Sequence, residues 1–354
     1  MLRILGKKEV ELLIDLPLAL QAVEEAYLQK HSGEAGVWPM VFHEFVPGEA
    51  DLDIKSGHLN QADVFGLKLV SWFGANPAKG LPALFGTSML FDRETGAPKA
   101  ILNAGPVTDY RTGAAGAIGA KALARPESEQ LVMVGCGALA PYLIAATLCV
   151  MPKLKTVILV NPHAPAHATE RLAAIAEHCA ALLKTVAEKQ TAGASEFYTL
   201  HTGKEGTQMV ELKASEDLEQ AIRTSDIILT ATPSKEALFP AAWVKPGTHI
   251  SCVGADMSGK QELDEALLPC SRVFGDDLEQ CRNVGECEKA WKSGKFAGPE
   301  AEIGAVLAGA HAGRKTAEEI TVFDSTGIAL QDLACGAALL KKAEALGVGP
   351  CVEL

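Results

Sequence analysis

The feature that most constrains this chain is a glycine-rich turn that comes late in the sequence. Residues 131–138 read LVMVGCGA, an apolar run that ends in Gly-x-Gly. Such a run predicts a buried parallel strand followed by a helix, whose free N-terminal N–H groups can bind the pyrophosphate of a dinucleotide. Because the run begins only at residue 131, the sequence predicts a nucleotide-binding domain that follows a long N-terminal segment.

The composition is typical of a compact α/β enzyme. The 354 residues are 48% hydrophobic, which is enough for two domains with large cores. A net charge of −12 without a basic run argues against nucleic acid as a partner. No secretory signal is evident and no apolar stretch reaches the about 18 residues that span a bilayer, so we expect a cytoplasmic protein without a membrane partner. The nine cysteines include no C-x-x-C pair, which predicts reduced thiols and no metal site.

Strands and helices alternate regularly after the turn, and this predicts a right-handed parallel sheet. Residues 190–212 interrupt the alternation as an insertion followed by a short strand. The predicted strands are 131–134, 156–160, 226–230, 249–253, 272–275 and 321–324, and the predicted helices are 138–151, 165–183 and 218–223.

The segment before the turn has a different organisation. Apolar spacing predicts two helices separated near Pro17, then extended runs, then a hairpin around the turn at 92–96. A small-residue helix follows at 112–124, where glycines permit close packing. A final helix at 328–346 is long enough to return to this N-terminal part.

The glycine turn leaves the choice of cofactor open. Gly135 permits the tight turn and Gly137 permits close approach of the backbone to the phosphates. The second predicted strand ends at Asn161, where a carboxylate is expected to bond the ribose 2′-OH of NAD. Asn161 does not repel a 2′-phosphate, so both NAD and NADP remain candidates.

Cations in the N-terminal segment are candidates for holding a carboxylate. Lys68 stands in the apolar run FGLKLV, either at a sheet edge with its amine in solvent or bound to an anion. Arg111, before the small-residue helix, can pair with a substrate carboxylate or with an acid such as Asp109. Lys55 and His58 form a third cluster, for which we expect a solvated loop unless they bind substrate.

Two acidic segments follow predicted strands. Asp256 comes directly after a strand, where ligands bind in open α/β sheets, and can act as acid or base on a substrate amine or imine. Its alternative role is to cap a helix near Ser258 or Glu262. The segment 324–327, which reads DSTG, can face a cofactor or cap the final helix.

Together these segments resemble the ornithine cyclodeaminase/μ-crystallin family. Several separate motifs occur in the same order, and a set in register is far more specific than any one of them. The resemblance is carried by GLKLVS at 66–71, GLPALFGT at 80–87, TDYRTGAA at 108–115, ALARP at 122–126, the turn at 135–137, VGAD at 253–256 with GKQEL at 259–263, and VFDSTG at 322–327.

The resemblance implies an α/β fold with a Rossmann-type nucleotide-binding domain inserted into a split α+β domain that binds substrate and forms a homodimer. We therefore expect residues 1–125 plus 326–354 to form the substrate and dimerisation domain and residues 126–325 to form the NAD(P)-binding domain. It also implies that Lys68 and Arg111 bind the substrate carboxylate and that Asp256 is the acid/base residue. The implied cofactor contacts are Thr87, Arg111, Gly135, Gly137, Ala138, Leu139, Asn161, Thr232, Val253, Lys260, Ser325 and Gly327.

The chain departs from the family pattern at several positions. The segment at 38–43 reads WPMVFH and lacks the usual arginine, whose charge Lys55 or His58 could supply. Leu139 replaces the usual glutamine of the turn, and Asn161 replaces the acid of the members that use NAD. An insertion at 185–212 lengthens the nucleotide domain.

The sequence therefore predicts an NAD- or NADP-dependent oxidoreductase that transfers a hydride at the Cα–N bond of a small L-amino acid or its imine. Two alternatives remain, namely an ornithine cyclodeaminase, which forms proline without net redox change, and a non-catalytic crystallin-like protein that binds NADP and small ligands. The resemblance implies that a cyclodeaminase uses a glutamate in the segment before the Lys68 strand. The shorter Asp51 and Asp53 beside the cation Lys55 therefore favour dehydrogenase or reductase chemistry over cyclisation. The sequence does not name the amino acid.

Overall fold

A computed structural model describes residues 1–191 and 210–353. The strands are, in chain order, β1 (Leu2–Leu5), β2 (Ala35–Val46), β3 (Ala50–Leu59), β4 (Val64–Phe73), β5 (Leu84–Asp92), β6 (Pro98–Asn103), β7 (Gln130–Val134), β8 (Thr156–Val160), β9 (Glu211–Ala214), β10 (Ile227–Thr230), β11 (His249–Cys252), β12 (Arg272–Gly275), β13 (Ala301–Glu302), β14 (Thr321–Asp324) and β15 (Cys351–Val352). The α-helices are α1 (Lys7–Leu13), α2 (Leu16–His31), α3 (Ala104–Leu123), α4 (Ala140–Val150), α5 (Pro165–Thr191), α6 (Leu218–Thr224), α7 (Cys287–Lys292), α8 (Ile303–Leu307) and α9 (Ala329–Leu346).

The chain divides into two compact units. The first unit is Met1–Arg111 together with Ile328–Leu354, and the second is Thr112–Gly327. The first unit thus contains both ends of the chain, and the second is the continuous stretch between them.

The first unit is built on a seven-stranded mixed sheet in the order β15-β1-β6-β5-β4-β3-β2. Strands β2 to β6 form an antiparallel meander, and β1 joins β6 in parallel. Helix α9 packs against the centre of this sheet. A Cβ atom on Gly66 would lie 2.9 Å from a methyl carbon of Leu333, and one on Gly57 would lie 3.1 Å from Leu330, so these glycines allow the close approach.

The second unit is built on a parallel sheet in the order β13-β12-β14-β11-β10-β7-β8-β9. Strands β10 and β11 are buried along their whole length and β7 from Leu131 to Val134, as expected for a parallel sheet covered by helices on both faces. The chain runs outward from β7 through β8 to β9 and then returns to β10 beside β7. The strand order therefore reverses between β7 and β10, and ligands of such sheets bind at this switch point.

Most predicted elements are confirmed, with differences in length. Helix α3 begins at Ala104, eight residues before the predicted start, because Asn103 Oδ1 accepts a hydrogen bond of 3.1 Å from Gly105 N and caps the first turn. Arg111 therefore lies inside a helix. Helix α5 extends to Thr191. Residues 192–209 of the predicted insertion lie outside the described residues. Among the described helices, none is both long and apolar enough to cross a membrane.

Candidate functional site

In the first unit, Lys68 is buried in the middle of the sheet. It lies on β4, which is flanked by β3 and β5, and is 3% exposed. Its Nζ lies 3.1 Å from Oδ1 of Asp332, which is buried on α9. The sheet-edge alternative for Lys68 is therefore excluded, and the lysine is held in an internal ion pair.

Arg111 shares the same carboxylate. Its Nε lies 3.4 Å from Oδ1 of Asp332, and its Nη1 donates a hydrogen bond of 3.0 Å to Oε1 of Gln331. Gln331 in turn donates to the Tyr27 hydroxyl at 2.6 Å. These contacts hold the guanidinium in one orientation, and the acid that pairs with Arg111 is Asp332 and not the Asp109 of the sequence-based alternative.

The electrostatics of the cluster reflect two cations on one anion. Burial lowers the pKa of Lys68 to about 8, the charge of Arg111 acts in the same direction, and Asp332 opposes both. Burial alone would raise the pKa of Asp332, but Lys68 and Arg111 outweigh it and hold that pKa below its ordinary value. The cluster therefore has a surplus positive charge that suits a carboxylate ligand.

The register of the sheet decides which neighbours share this cluster. Lys55 on β3 and Ser88 on β5 lie directly opposite Lys68, so all three side chains are on one face of the sheet. Lys55 and His58 both lie in β3, and Lys55 is 7% exposed, which corrects the solvated loop expected for this pair. Ser88 Oγ is buried and has no hydrogen-bond partner within the described residues. Side chains alternate between the two faces along a strand. His58 is an odd number of residues from Lys55, and Thr87 is next to Ser88, so both lie on the opposite face of the sheet.

In the second unit, the glycine turn lies at the switch point of the sheet. Gly135 has φ +112°, and a Cβ there would lie 2.7 Å from the carbonyl oxygen of Ala231. Nothing lies within 4 Å of a Cβ built on Gly137, and Gly137 and Ala138 are exposed. Helix α4 then begins after Leu139 without a side-chain cap. The uncapped helix and the open turn fit the approach of a phosphate.

Asn161 lies at the end of β8, next to this turn. Its Oδ1 accepts hydrogen bonds of 3.1 Å from the backbone N–H groups of His163 and Ala164, which precede α5. The residue therefore forms an Asx turn and adds no negative charge beside the switch point.

A buried glutamate joins the segments that follow β10 and β11. Glu262 is fully buried and accepts four hydrogen bonds from three residues. Thr232 N donates to its Oε1 at 2.7 Å and Thr232 Oγ1 at 2.8 Å, while Thr230 Oγ1 and Gly254 N donate to its Oε2 at 2.7 and 2.9 Å. Val253, another predicted contact, is buried and bonds through its N–H to the carbonyl of Thr230.

Asp256 lies in the loop after β11 and is half exposed. Lys260 Nζ donates a hydrogen bond of 2.6 Å to its Oδ1. Glu288 stabilises this loop, because its carboxylate accepts hydrogen bonds from Ser258 Oγ at 2.5 Å and from Gly259 N at 2.7 Å. Ser258 thus binds Glu288, no helix begins at Asp256, and the capping alternative for this acid is excluded.

The DSTG segment is held by a further buried acid. Asp276 accepts from Thr326 Oγ1 at 2.6 Å, from Gly327 N at 2.8 Å and from Ser325 Oγ at 3.3 Å. The N-cap of α9 is Ile328, so Ser325 and Thr326 do not cap the final helix. Within the described residues no group of three or more His, Cys, Asp or Glu side chains is arranged to hold a metal ion.

The sequence analysis missed three buried acids that organise these groups, namely Asp332, Glu262 and Asp276. Glu262 follows the polar residues SGKQ and had no signal in the sequence. Asp332 and Asp276 each had one, because Asp332 lies within an apolar run and Asp276 lies directly after one. A carboxylate in such a position must be hydrogen-bonded or paired with a cation, so each could have been matched to the polar residues already selected.

The geometry can now be compared with known proteins. The family model of the ornithine cyclodeaminase/mu-crystallin family matches residues 2–196 and 201–345. An alanine dehydrogenase of Archaeoglobus fulgidus is 36% identical over 352 residues, which cover 99% of this chain and 98% of that protein. An iminosuccinate reductase of Paracoccus denitrificans is 32% identical over 352 residues, which cover 99% of both chains.

Solved structures agree with this assignment. An archaeal alanine dehydrogenase dimer with bound NAD has a TM-score of 0.82 at 35% identity, covering 99% of this chain and 98% of that one. The iminosuccinate reductase of Paracoccus denitrificans in complex with NAD+ has a TM-score of 0.84 at 30% identity, covering 100% of this chain and 99% of that one. The matches confirm the resemblance and the expected α/β fold. The chain belongs to the ornithine cyclodeaminase/mu-crystallin family, whose similar members are dehydrogenases, reductases and cyclodeaminases.

Proposed function

We propose that this enzyme is an NAD(P)-dependent oxidoreductase that transfers a hydride at the Cα–N bond of a small L-amino acid or its imine. The observation that carries the proposal is the shared use of Asp332 by Lys68 and Arg111. Two buried cations on one carboxylate keep a surplus charge for an α-carboxylate of the substrate. The function of the relatives, alanine dehydrogenase and iminosuccinate reductase, supports this reading.

The residues of the second unit fit a dinucleotide cofactor. Gly135 and Gly137 with the uncapped start of α4 would hold the pyrophosphate, and Asn161 would face the adenosine ribose. Thr232, Lys260 and the DSTG segment, which Asp276 holds in place, are the further residues expected to contact the cofactor. When bound, the nicotinamide ring donates or accepts the hydride.

The chain's own residues orient the substrate and move its protons. Lys68 and Arg111 would bind the substrate carboxylate and so limit the orientations of its Cα. Asp256, oriented by Lys260, takes a proton from the substrate amine during oxidation and returns one during reduction of the imine. The shared carboxylate of Asp332 keeps both cations in place between turnovers.

The decisive experiment is a screen of NADH and NADPH oxidation with pyruvate, glyoxylate and oxaloacetate, each with ammonia or methylamine, and with cyclic imines. We expect cofactor oxidation with at least one of these carboxylates. A parallel assay measures proline formation from ornithine. Proline formation without net cofactor oxidation would establish the cyclodeaminase alternative, and stoichiometric ligand binding without turnover would establish the crystallin-like one.

We also propose a cytoplasmic homodimer that forms through the first unit. Strand β2 is at the edge of its sheet and exposes Trp38, Val41, Phe42 and Phe45, each more than 40% accessible. An exposed apolar edge of this kind needs a partner, and the similar alanine dehydrogenase structure is a dimer. All nine cysteines are free thiols, which suits a reducing compartment. Light scattering of the purified protein tests the dimer, and F42D should give monomers.

A further inference from the structure

We propose that Glu262 is a positioning residue for the cofactor, because it fixes the turns that follow two neighbouring strands. This inference rests on the proposed function. Glu262 is buried, and its carboxylate oxygens accept hydrogen bonds from Thr230, Thr232 and Gly254. It acts through Thr232 and Gly254, whose backbone N–H groups donate to its two oxygens.

The two turns that Glu262 holds lie beside the glycine turn. A Cβ on Gly135 would lie 2.7 Å from Ala231 O and 3.2 Å from Thr232 Cγ2, so the segment after β10 packs directly on Gly135. A Cβ on Gly254 would lie 2.4 Å from Thr232 O and 2.6 Å from Glu262 Oε2. Glu262 therefore joins the turns after β10 and β11, and the turn after β7 packs on the first of these through Gly135.

Glu262 also sets the direction of the Thr232 hydroxyl. Oγ1 of Thr232 donates its hydrogen to Glu262 Oε1 at 2.8 Å. The hydroxyl then has two lone pairs left, of which one faces Ser234 N at 3.4 Å, so it can accept one hydrogen bond from a ligand and cannot donate one. This arrangement selects an N–H donor, such as the amide group of a nicotinamide ring, over a second acceptor.

The carboxylate cannot be replaced by its amide without breaking one of these contacts. Oε1 accepts from Thr232 N and Oε2 accepts from Gly254 N, and backbone N–H groups cannot rotate away. An amide has one acceptor oxygen, so its NH2 group would face an N–H donor in either orientation. Glu262→Gln keeps the size of the side chain. It nevertheless loses the hydrogen bond from one of the two backbone N–H groups and so releases one of the two turns.

The test compares Glu262→Gln with Asp226→Asn. Asp226 precedes β10 at the opposite end of the same strand, and its Oδ2 also accepts two backbone N–H groups, those of Glu129 and Gln130. Both variants should unfold at a lower temperature than the wild type. The dissociation constants of NADH and NADPH, measured by calorimetry without substrate, should rise at least tenfold in Glu262→Gln and stay within twofold in Asp226→Asn.

The outcomes are distinguishable. A wild type that binds neither dinucleotide overturns the proposed function itself. A folded Glu262→Gln variant that binds within twofold of the wild type overturns the positioning role alone. If Glu262→Gln does not fold, Thr232→Val removes only the oriented hydroxyl and keeps the backbone bond to Glu262. It should bind the dinucleotide at least threefold more weakly, and wild-type affinity would overturn the inference.

Discussion

Lys68 and Asp332 form a buried ion pair of 3.1 Å between residues that are 264 positions apart in the chain. Lys68 is contributed by the central sheet of the first unit and Asp332 by the helix near the end of the chain. Arg111 lies on the other side of the pair, 3.4 Å from the same oxygen. The helix thus brings one anion to two cations, which leaves this group of three side chains with a net positive charge.

Asp332→Asn should destabilise the protein and make its stability depend on carboxylate ligands. Removing the shared anion leaves two buried cations unpaired, which costs about 3 kcal/mol in unfolding free energy. A bound carboxylate replaces part of the lost charge, so millimolar pyruvate should raise the urea midpoint of the variant more than that of the wild type.

The control for this prediction is Asp63→Asn. Asp63 pairs with Arg93 at 3.8 Å on the surface, and losing that contact should change the unfolding free energy by less than about 0.5 kcal/mol. An Asp332→Asn variant as stable as Asp63→Asn, or one insensitive to pyruvate, would contradict the assigned charge balance.

Binding of a carboxylate substrate should weaken as the pH rises through about 8. Burial and Arg111 lower the pKa of Lys68 to about 8, so the amine loses its charge above that pH and with it the attraction for a carboxylate. The apparent kcat/KM for the keto acid should fall over that range by up to tenfold per pH unit.

Lys68→Arg separates this effect from other titrations. An arginine keeps its charge over the whole range, so the variant should lose the decline above pH 8 even if its affinity is lower throughout. The same decline in Lys68→Arg would assign the pH dependence to another group.

The sequence predicts the fold well because the signals for it are local. The run at 131–138, the regular spacing of later strands and the small-residue helix each predict an element from neighbouring residues alone. The length of α3 was underestimated because the cap is Asn103, a residue that the pattern of small residues does not include. Propensity and spacing describe the elements, and capping side chains decide their ends.

The site was predicted less completely because its balance of charges is not local. Lys68 and Arg111 could be selected from their positions, but Asp332 is far away in sequence and Glu262 lies among residues of a motif without an assigned role. The sequence predicts a solvated loop for Lys55 unless it binds substrate, whereas pairing with β4 buries it. Partners that are distant in sequence are set by strand register and helix packing, and a single sequence does not give either of these.

Asp256→Asn should abolish turnover and leave cofactor binding nearly unchanged. The amide keeps the size of the side chain but cannot take up a proton, and Asp256 is half exposed, so its loss costs little stability. Turnover should fall at least a hundredfold, whereas the dissociation constant of NADH should change by less than about twofold.

Lys260→Gln is the companion variant, because it removes the ion pair to Asp256 and keeps the acid. It should retain part of the activity. Unchanged turnover in Asp256→Asn would remove the acid/base role from this residue.

The two glycines of the turn should respond differently to alanine. Gly135→Ala forces a side chain into φ +112° and places its Cβ 2.7 Å from a carbonyl oxygen, so we expect a loss of about 2 kcal/mol or more in stability. Gly137→Ala meets nothing within 4 Å and should unfold like the wild type. If phosphates approach the backbone there, the added methyl group should nevertheless weaken NADH binding at least tenfold. Calorimetric binding and thermal unfolding of the two variants measure both effects, and wild-type affinity in Gly137→Ala would show that the pyrophosphate does not bind at this turn.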